Sequence, residues 1–104
     1  MDVDKVALFV RHRAKPGQRD RLQTIWETWV RPRVEANPAH EVYCFCHDAA
    51  DPDVLCVFQL FSDAASVEAF MSGDWYPQYL AEVSDVVSDA PQISHAHPQW
   101  TKGL

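Results

Sequence analysis

The order of its strand-like and helical segments is the feature of this 104-residue sequence that most constrains its fold. Strand patterns occupy residues 5–13, 41–48, 54–61 and 92–97, and amphipathic helical patterns occupy residues 18–36 and 63–88. The order strand-helix-strand-strand-helix-strand is the split βαβ pattern of a ferredoxin-like fold. We therefore expect an α+β fold with a four-stranded antiparallel sheet. One face of that sheet would be left bare, and we expect a second copy to bury it.

Both helical regions contain a predicted break. Pro32 falls inside the first region and should stop or kink the regular helix near Trp29. Gly73 and Asp74 interrupt the second region, and the helical pattern starts again at Trp75. The first region therefore predicts a long helix with a kink or stop, and the second predicts a helix that is interrupted and starts again.

Composition and charge exclude several classes of function. The length predicts a single domain over residues 1–104, and the net charge of −6 argues against nucleic-acid binding. No stretch approaches the length of a membrane span, and Met1 is followed by Asp2 in place of a basic, apolar leader. We therefore expect a cytoplasmic protein that does not bind a membrane.

The three cysteines are expected to be reduced and buried. They lie in apolar strand patterns at Cys44, Cys46 and Cys56, and their number is odd. Cys44 and Cys46 share one strand face, which does not favour a disulfide between them.

Several local motifs together resemble one known family. They lie at residues 14–18, 30–33, 37–43, 51–53 and 58–70, and include Lys15-Pro16-Gly17 after the first strand. In order and spacing they resemble the antibiotic biosynthesis monooxygenase domain family, over nearly the whole chain. The resemblance implies a dimeric α+β barrel, in which two sheets face each other and each monomer has a pocket between sheet and helices.

The same resemblance suggests a reaction. Members of this family include oxygenases that act on anthrones and quinols without a metal or flavin, and haem-degrading enzymes. Haem degradation is not expected, because Val10 stands near the position of a strand-one Asn, and Trp75 lies in the region where many relatives carry a His. Gln59 stands where relatives often have Glu. The leading hypothesis is a monooxygenase with no cofactor, which oxidises a hydrophobic aromatic quinol or anthrone with O₂.

An aromatic set is the candidate site for such a substrate. Trp75 and Tyr79 share a helix face four residues apart and are the first candidates for catalytic residues. Aromatic walls hold a flat ring, and Tyr or Trp donors can stabilise a developing oxyanion. The candidate substrate-binding residues are Trp26, Trp29, Tyr76 and Tyr43. The alternative is ordinary core packing, which is usual for aromatic residues at helical spacing.

A base is needed to form the substrate anion, and histidine has a suitable pKa. His47 shares a strand face with Tyr43 and Phe45 and is the candidate catalytic base, while His12 lies at the exit of the first strand. The pairs Cys44-x-Cys46 and His95-x-His97 would suit zinc only if they met across a dimer, and their spacing is not that of common zinc modules. No metal or other cofactor is expected.

Two other classes of function stay open at this stage. The first is a dimeric protein that binds a small apolar ligand without catalysis. The second is a barrel enzyme that does not use oxygen, such as a cyclase or an isomerase. The chain has no Gly-rich phosphate loop, no G-x-S-x-G motif and no H-E-x-x-H motif, which argues against nucleotide, serine-hydrolase and zinc-protease chemistry.

Overall fold

A computed structural model describes residues 4–103 and shows the predicted ferredoxin-like α+β fold. The strands are β1 (Val6–Arg13), β2 (His40–His47), β3 (Val54–Phe61) and β4 (Gln92–Ala96). They form one antiparallel sheet in the order β2-β3-β1-β4. The helices are α1 (Arg19–Trp29), α2 (Arg31–Glu35), α3 (Ala64–Met71) and α4 (Trp75–Val83). Within the described residues no helix has the length and apolarity needed to cross a membrane.

Both predicted helix breaks are confirmed. α1 ends at Trp29, and α2 begins at Arg31 with Pro32 in its first turn, where a missing backbone N–H costs no hydrogen bond. The second region divides between Met71 and Trp75, around Gly73. The aromatic residues on either side of each break can therefore point in directions that one straight helix would not allow.

The second helical region ends earlier than the sequence predicts. α4 stops at Val83, not near Ser88. The following segment folds back onto the end of β1, where the Lys15 N–H donates to the Val86 carbonyl at 2.8 Å and the Ser88 N–H donates to the Arg13 carbonyl at 3.1 Å. These bonds to the strand replace those of a further helical turn.

The two faces of the sheet have different surroundings. Val6, Leu8 and Phe61 lie on the face that the helices cover and are buried. Phe9 lies on the opposite face, is 49% exposed, and packs on Phe58 with 5.2 Å between ring centroids. This open apolar face is the surface that the sequence analysis assigned to a second copy.

The cysteines are free as predicted, but two of the three are not buried. Cys44 and Cys46 are exposed, and Cys56 is half-buried. The reason is their position on the open face of the sheet, where no helix covers them. Their apolar neighbours along the strand pointed to burial, but the helices cover only alternate residues of each strand.

Candidate functional site

A cavity of about 80 Å³ lies between the covered face of the sheet and the helices. Its wall combines all four strands with α1, α3 and α4. The wall contains five of the seven candidate residues, namely Trp26, Tyr43, Trp75, Tyr76 and Tyr79. The structure therefore brings most of the aromatic set together around one space.

Trp26 and Tyr43 form a hydrogen-bonded pair on one side of the cavity. The Trp26 Nε1–H donates to the Tyr43 hydroxyl at 2.8 Å, and the Trp26 ring lies 4.2 Å from Phe45 between centroids. Burial raises the pKa of Tyr43 to about 12, although the bond from Trp26 acts in the opposite direction. Tyr43 therefore keeps its proton at neutral pH and can donate it to another acceptor.

Three aromatic rings of α4 form the opposite side. The Trp75 centroid lies 5.4 Å from that of Tyr76 and 6.1 Å from that of Tyr79. Burial raises the pKa of both tyrosines, and neighbouring Tyr43 adds to the effect on Tyr79. Neither hydroxyl has a hydrogen-bond partner among residues 4–103. Both are thus proton-bearing donors beside the cavity.

Gly73 and Arg33 hold Trp75 in place. A Cβ atom at Gly73 would lie 2.5 Å from Trp75 Nε1, so only glycine leaves room for this position of the ring. The Arg33 guanidinium carbon lies 4.8 Å from the Trp75 centroid and 5.7 Å from that of Trp29. Trp29 does not line the cavity, and its Nε1–H donates to the Glu82 carboxylate. It therefore supports Trp75 from outside, through Arg33.

A second, larger space lies on the other side of Trp75. This outer groove has a volume of about 380 Å³ and runs between α2 and α3. Phe70 and Trp75 belong to the walls of both spaces. These two side chains therefore separate the inner cavity from the outer groove.

Solved structures share this arrangement of sheet and helices. A protein of unknown function from Nitrosomonas europaea is 26% identical, with 98% of this chain and 96% of that chain aligned at a TM-score of 0.81. A "putative antibiotic biosynthesis monooxygenase" from Chloroflexus aurantiacus is 23% identical, over 95% of this chain and 97% of that chain, at 0.77. Another of that name, from Caulobacter crescentus, is 15% identical, over 93% and 92%, at 0.83.

The chain has the antibiotic biosynthesis monooxygenase fold. The resemblance inferred from local motifs is thereby confirmed at the level of the fold. No protein-family model and no curated protein matches the sequence.

His47 lies outside the cavity of this monooxygenase fold. It is exposed, and its Nε2 lies 2.7 Å from the Gln23 Oε1 atom near the end of β2. It shares the covered face with Tyr43 and Phe45, as predicted, but the strand carries it beyond the edge of the cavity. His47 is therefore not part of the wall that surrounds the cavity.

His12 is the histidine that the structure places in the cavity wall. It is only 5% exposed, and its Nε2 has no hydrogen-bond partner in the described part of the chain. Burial lowers the pKa of His12, while a hydrogen bond to the Asp89 backbone acts against this. The alternation Val6, Leu8, Val10, His12 was the sequence signal that could have placed it here.

The Cys and His pairs considered for zinc lie far apart within one chain. Cys44 and Cys46 are on β2 at one edge of the sheet, while His95 is on β4 at the other edge. Among residues 4–103 no group of three His, Cys, Asp or Glu side chains is placed to hold a metal ion.

Proposed function

We propose that this protein is a cofactor-independent monooxygenase that oxidises a hydrophobic aromatic quinol or anthrone-like compound with O₂. The observation that carries the proposal is the unpaired Nε2 of buried His12 in the wall of an aromatic cavity. It is further supported by the fold that the chain shares with proteins named putative antibiotic biosynthesis monooxygenases.

In this proposal His12 is the general base. Its lowered pKa keeps the imidazole neutral at pH 7, and its Nε2 has no hydrogen-bond partner within residues 4–103, so this nitrogen is available to accept a proton. The Tyr76 and Tyr79 hydroxyls are placed to donate to the oxyanion that forms when the substrate loses its proton. His47 was the candidate base from the sequence, but its distance from the cavity favours His12 for the role.

The substrate itself supplies all the electrons. In an anthrone, a ring CH₂ group and one O₂ give a ring C=O group and one H₂O; in a quinol, the ring with its two hydroxyl groups and one O₂ give a hydroxyquinone and one H₂O. In the anthrone, the anionic carbon bonds one oxygen atom, the O–O bond breaks, and the second oxygen leaves as water with the two protons from the carbon. Aromatic and aliphatic walls limit the access of bulk water, which strengthens hydrogen bonds to the anion.

Substrate binding requires Trp75 and Phe70 to move. The inner cavity of about 80 Å³ is below the ~300–1,000 Å³ typical of ligand pockets. The outer groove adds about 380 Å³ behind these two side chains. Rotation of Trp75 toward the groove would join the two spaces into one of the usual size, with Arg33 at its edge.

Oxygen uptake by the purified protein tests this function. A panel of anthrones and quinols would be compared with reactions that contain no protein. His12→Gln should lower the rate by roughly 100-fold or more, in line with the loss of a general base. His97→Gln, an exposed histidine beyond β4, is the matched control and should leave the rate unchanged. A larger loss in His47→Gln than in His12→Gln would contradict the assignment of the base.

Ligand binding without turnover is the second candidate function. The small inner cavity favours it, because a space of about 80 Å³ fits a ligand smaller than a fused aromatic ring system. Tight binding of the single-ring quinols of the panel without oxygen consumption would support this alternative or an oxygen-independent barrel enzyme. Formation of a new product without O₂ would separate those two.

We also propose that the protein is a homodimer, as the sequence analysis expected. The open face of the sheet supports this, since Phe9 is 49% exposed beside Phe58 and no helix covers either ring. Light scattering after size-exclusion chromatography would give the mass of a dimer for the wild type. Phe9→Glu should shift the mass toward that of the 11.9 kDa monomer.

A further inference from the structure

Gln59 places a polar side chain in the otherwise aromatic and aliphatic part of the cavity wall that β3 forms. It lies between Val57 and Phe61 on the covered face, and it is half-buried. A buried amide needs partners for both its oxygen and its nitrogen. The oxygen has one, because Gln59 Oε1 lies 2.9 Å from His40 Nε2.

A backbone N–H group that contacts Asn37 determines which atom donates in this hydrogen bond. The Ala39 N–H, which can only donate, donates to Asn37 Oδ1 at 3.2 Å. That contact identifies the oxygen of the Asn37 amide, so the atom 2.9 Å from His40 Nδ1 is the Asn37 nitrogen. An amide nitrogen donates, so His40 Nδ1 accepts and carries no proton.

A neutral imidazole with an unprotonated Nδ1 has its proton on Nε2. His40 stays neutral at pH 7 because burial lowers its pKa, although the bond to Gln59 acts in the opposite direction. Its ring lies between Phe61, at 4.1 Å, and Phe70, at 4.5 Å between centroids. His40 Nε2–H therefore donates to Gln59 Oε1, and the amide oxygen is occupied.

The remaining group of Gln59 is its NH₂, which makes no hydrogen bond within residues 4–103 and, unlike His12 Nε2, is not fully buried, so a ligand can reach it. We propose that this NH₂ is a binding group that selects ligands with an acceptor oxygen, a ketone or a phenolate, on the edge of the aromatic ring. Asn37 and His40 are positioning residues that hold the amide in the donating orientation. The inference rests on the proposed function only in that the cavity is the ligand site.

This assignment narrows the substrate class. A ligand that offers only a C–H edge to Gln59 leaves the NH₂ unpaired, and a carboxylate-bearing Glu at this position would offer acceptors in place of a donor. The Glu that relatives often carry would therefore suit ligands that donate to the protein. Gln59 instead suits the carbonyl form or the anion of a quinol or anthrone.

A matched pair of ligands tests the proposal. Anthrone and 9,10-dihydroanthracene have the same three-ring frame, and only anthrone has the carbonyl oxygen. The measured quantity is the ratio of their two dissociation constants in the wild type, Gln59→Met and Gln59→Glu, determined without turnover in the absence of O₂. Because each ratio compares ligands on one protein, general losses of affinity cancel.

We expect the preference for anthrone to fall by about 2- to 10-fold in Gln59→Met, the usual effect of losing one hydrogen bond. Gln59→Glu should lower it at least as far. An unchanged ratio in both variants would overturn the proposal, as would failure of both compounds to bind the wild type. Oxygen uptake is not part of this measurement. A protein that prefers anthrone but consumes no O₂ would therefore refute the proposed monooxygenase activity and leave the proposed role of Gln59 intact.

The hydrogen-bond direction can be measured without any ligand. Long-range ¹H–¹⁵N correlation spectra report the tautomer of His40, and we expect the Nε2–H form in the wild type. Asn37→Leu removes the donor to Nδ1 and should give a mixture of tautomers and a smaller anthrone preference. An Nδ1–H tautomer in the wild type would overturn the proposal even if the Gln59 variants did not fold.

Discussion

Gly73→Ala tests whether the position of Trp75 governs the site. The added Cβ would lie 2.5 Å from Trp75 Nε1 and 2.6 Å from Cδ1. Ordinary contact begins at 3.4 Å, so the ring must move by about 0.9 Å. The outer groove gives it room, so we expect little change in the free energy of unfolding, whereas a shift of about 1 Å in a site can lower kcat/KM by as much as about 100-fold.

The assay measures both the position of the Trp75 ring and the activity of the same variant. In protein labelled with 5-fluorotryptophan, the four tryptophans give four ¹⁹F resonances, and Trp75→Phe identifies that of Trp75. Gly73→Ala should shift this resonance and lower oxygen uptake, or ligand affinity if there is no turnover. Ser72→Ala, an exposed neighbour, is the matched control and should change neither. An unshifted Trp75 resonance in Gly73→Ala would refute the steric reasoning, and a shifted one with full activity would refute the role of Trp75.

Three further perturbations test the surroundings of the site. Trp26→Phe removes the 2.8 Å bond to Tyr43 and should cost about 1 kcal/mol, or about 4–8 °C in Tm; an unchanged Tm would contradict this. Arg33→Gln removes the cation over two indole rings and should cost about 0.5–1 kcal/mol in urea unfolding, whereas an unchanged urea midpoint would show that these contacts add nothing. Because burial lowers the pKa of His12 in the folded state, the unfolded chain binds more protons below pH 6.5; stability should fall as the pH falls through this range, and less steeply in His12→Gln.

Much of the fold was predictable because its signals are local. Pro32 and Gly73 mark chain breaks by their own backbone chemistry, and the period of two along the strands separates covered from open faces. The exposure of Cys44 was not predictable from its apolar neighbours. Whether the open face is covered depends on a second chain. The sequence pattern suggests that such a chain binds there but does not give its position.

The site was predictable in type but not in detail. Tyr43 and Trp75 are large aromatic residues on faces that the periodicity assigns to the interior, and both line the cavity. His47 has the same strand alternation as Tyr43, but periodicity gives only the face of a residue and not its distance from the cavity. The extent of a cavity along a strand depends on where the helices above it begin and end.

The mistaken end of the second helical region and the preference for His47 over His12 as the candidate base have one cause. The segment after Val83 pairs with β1 instead of continuing as a helix, and the Ala14–Val87 bridge sets the register of that pairing. In an antiparallel pairing, His12, two residues before Ala14, lies opposite Asp89, two residues after Val87. The Asp89 backbone then lies close enough to the His12 imidazole to act on its pKa, while Nε2 has no hydrogen-bond partner in the described part of the chain. A helix that continued to Ser88 would lack this pairing, so the surroundings of His12, the proposed base, depend on the return of this short segment to β1.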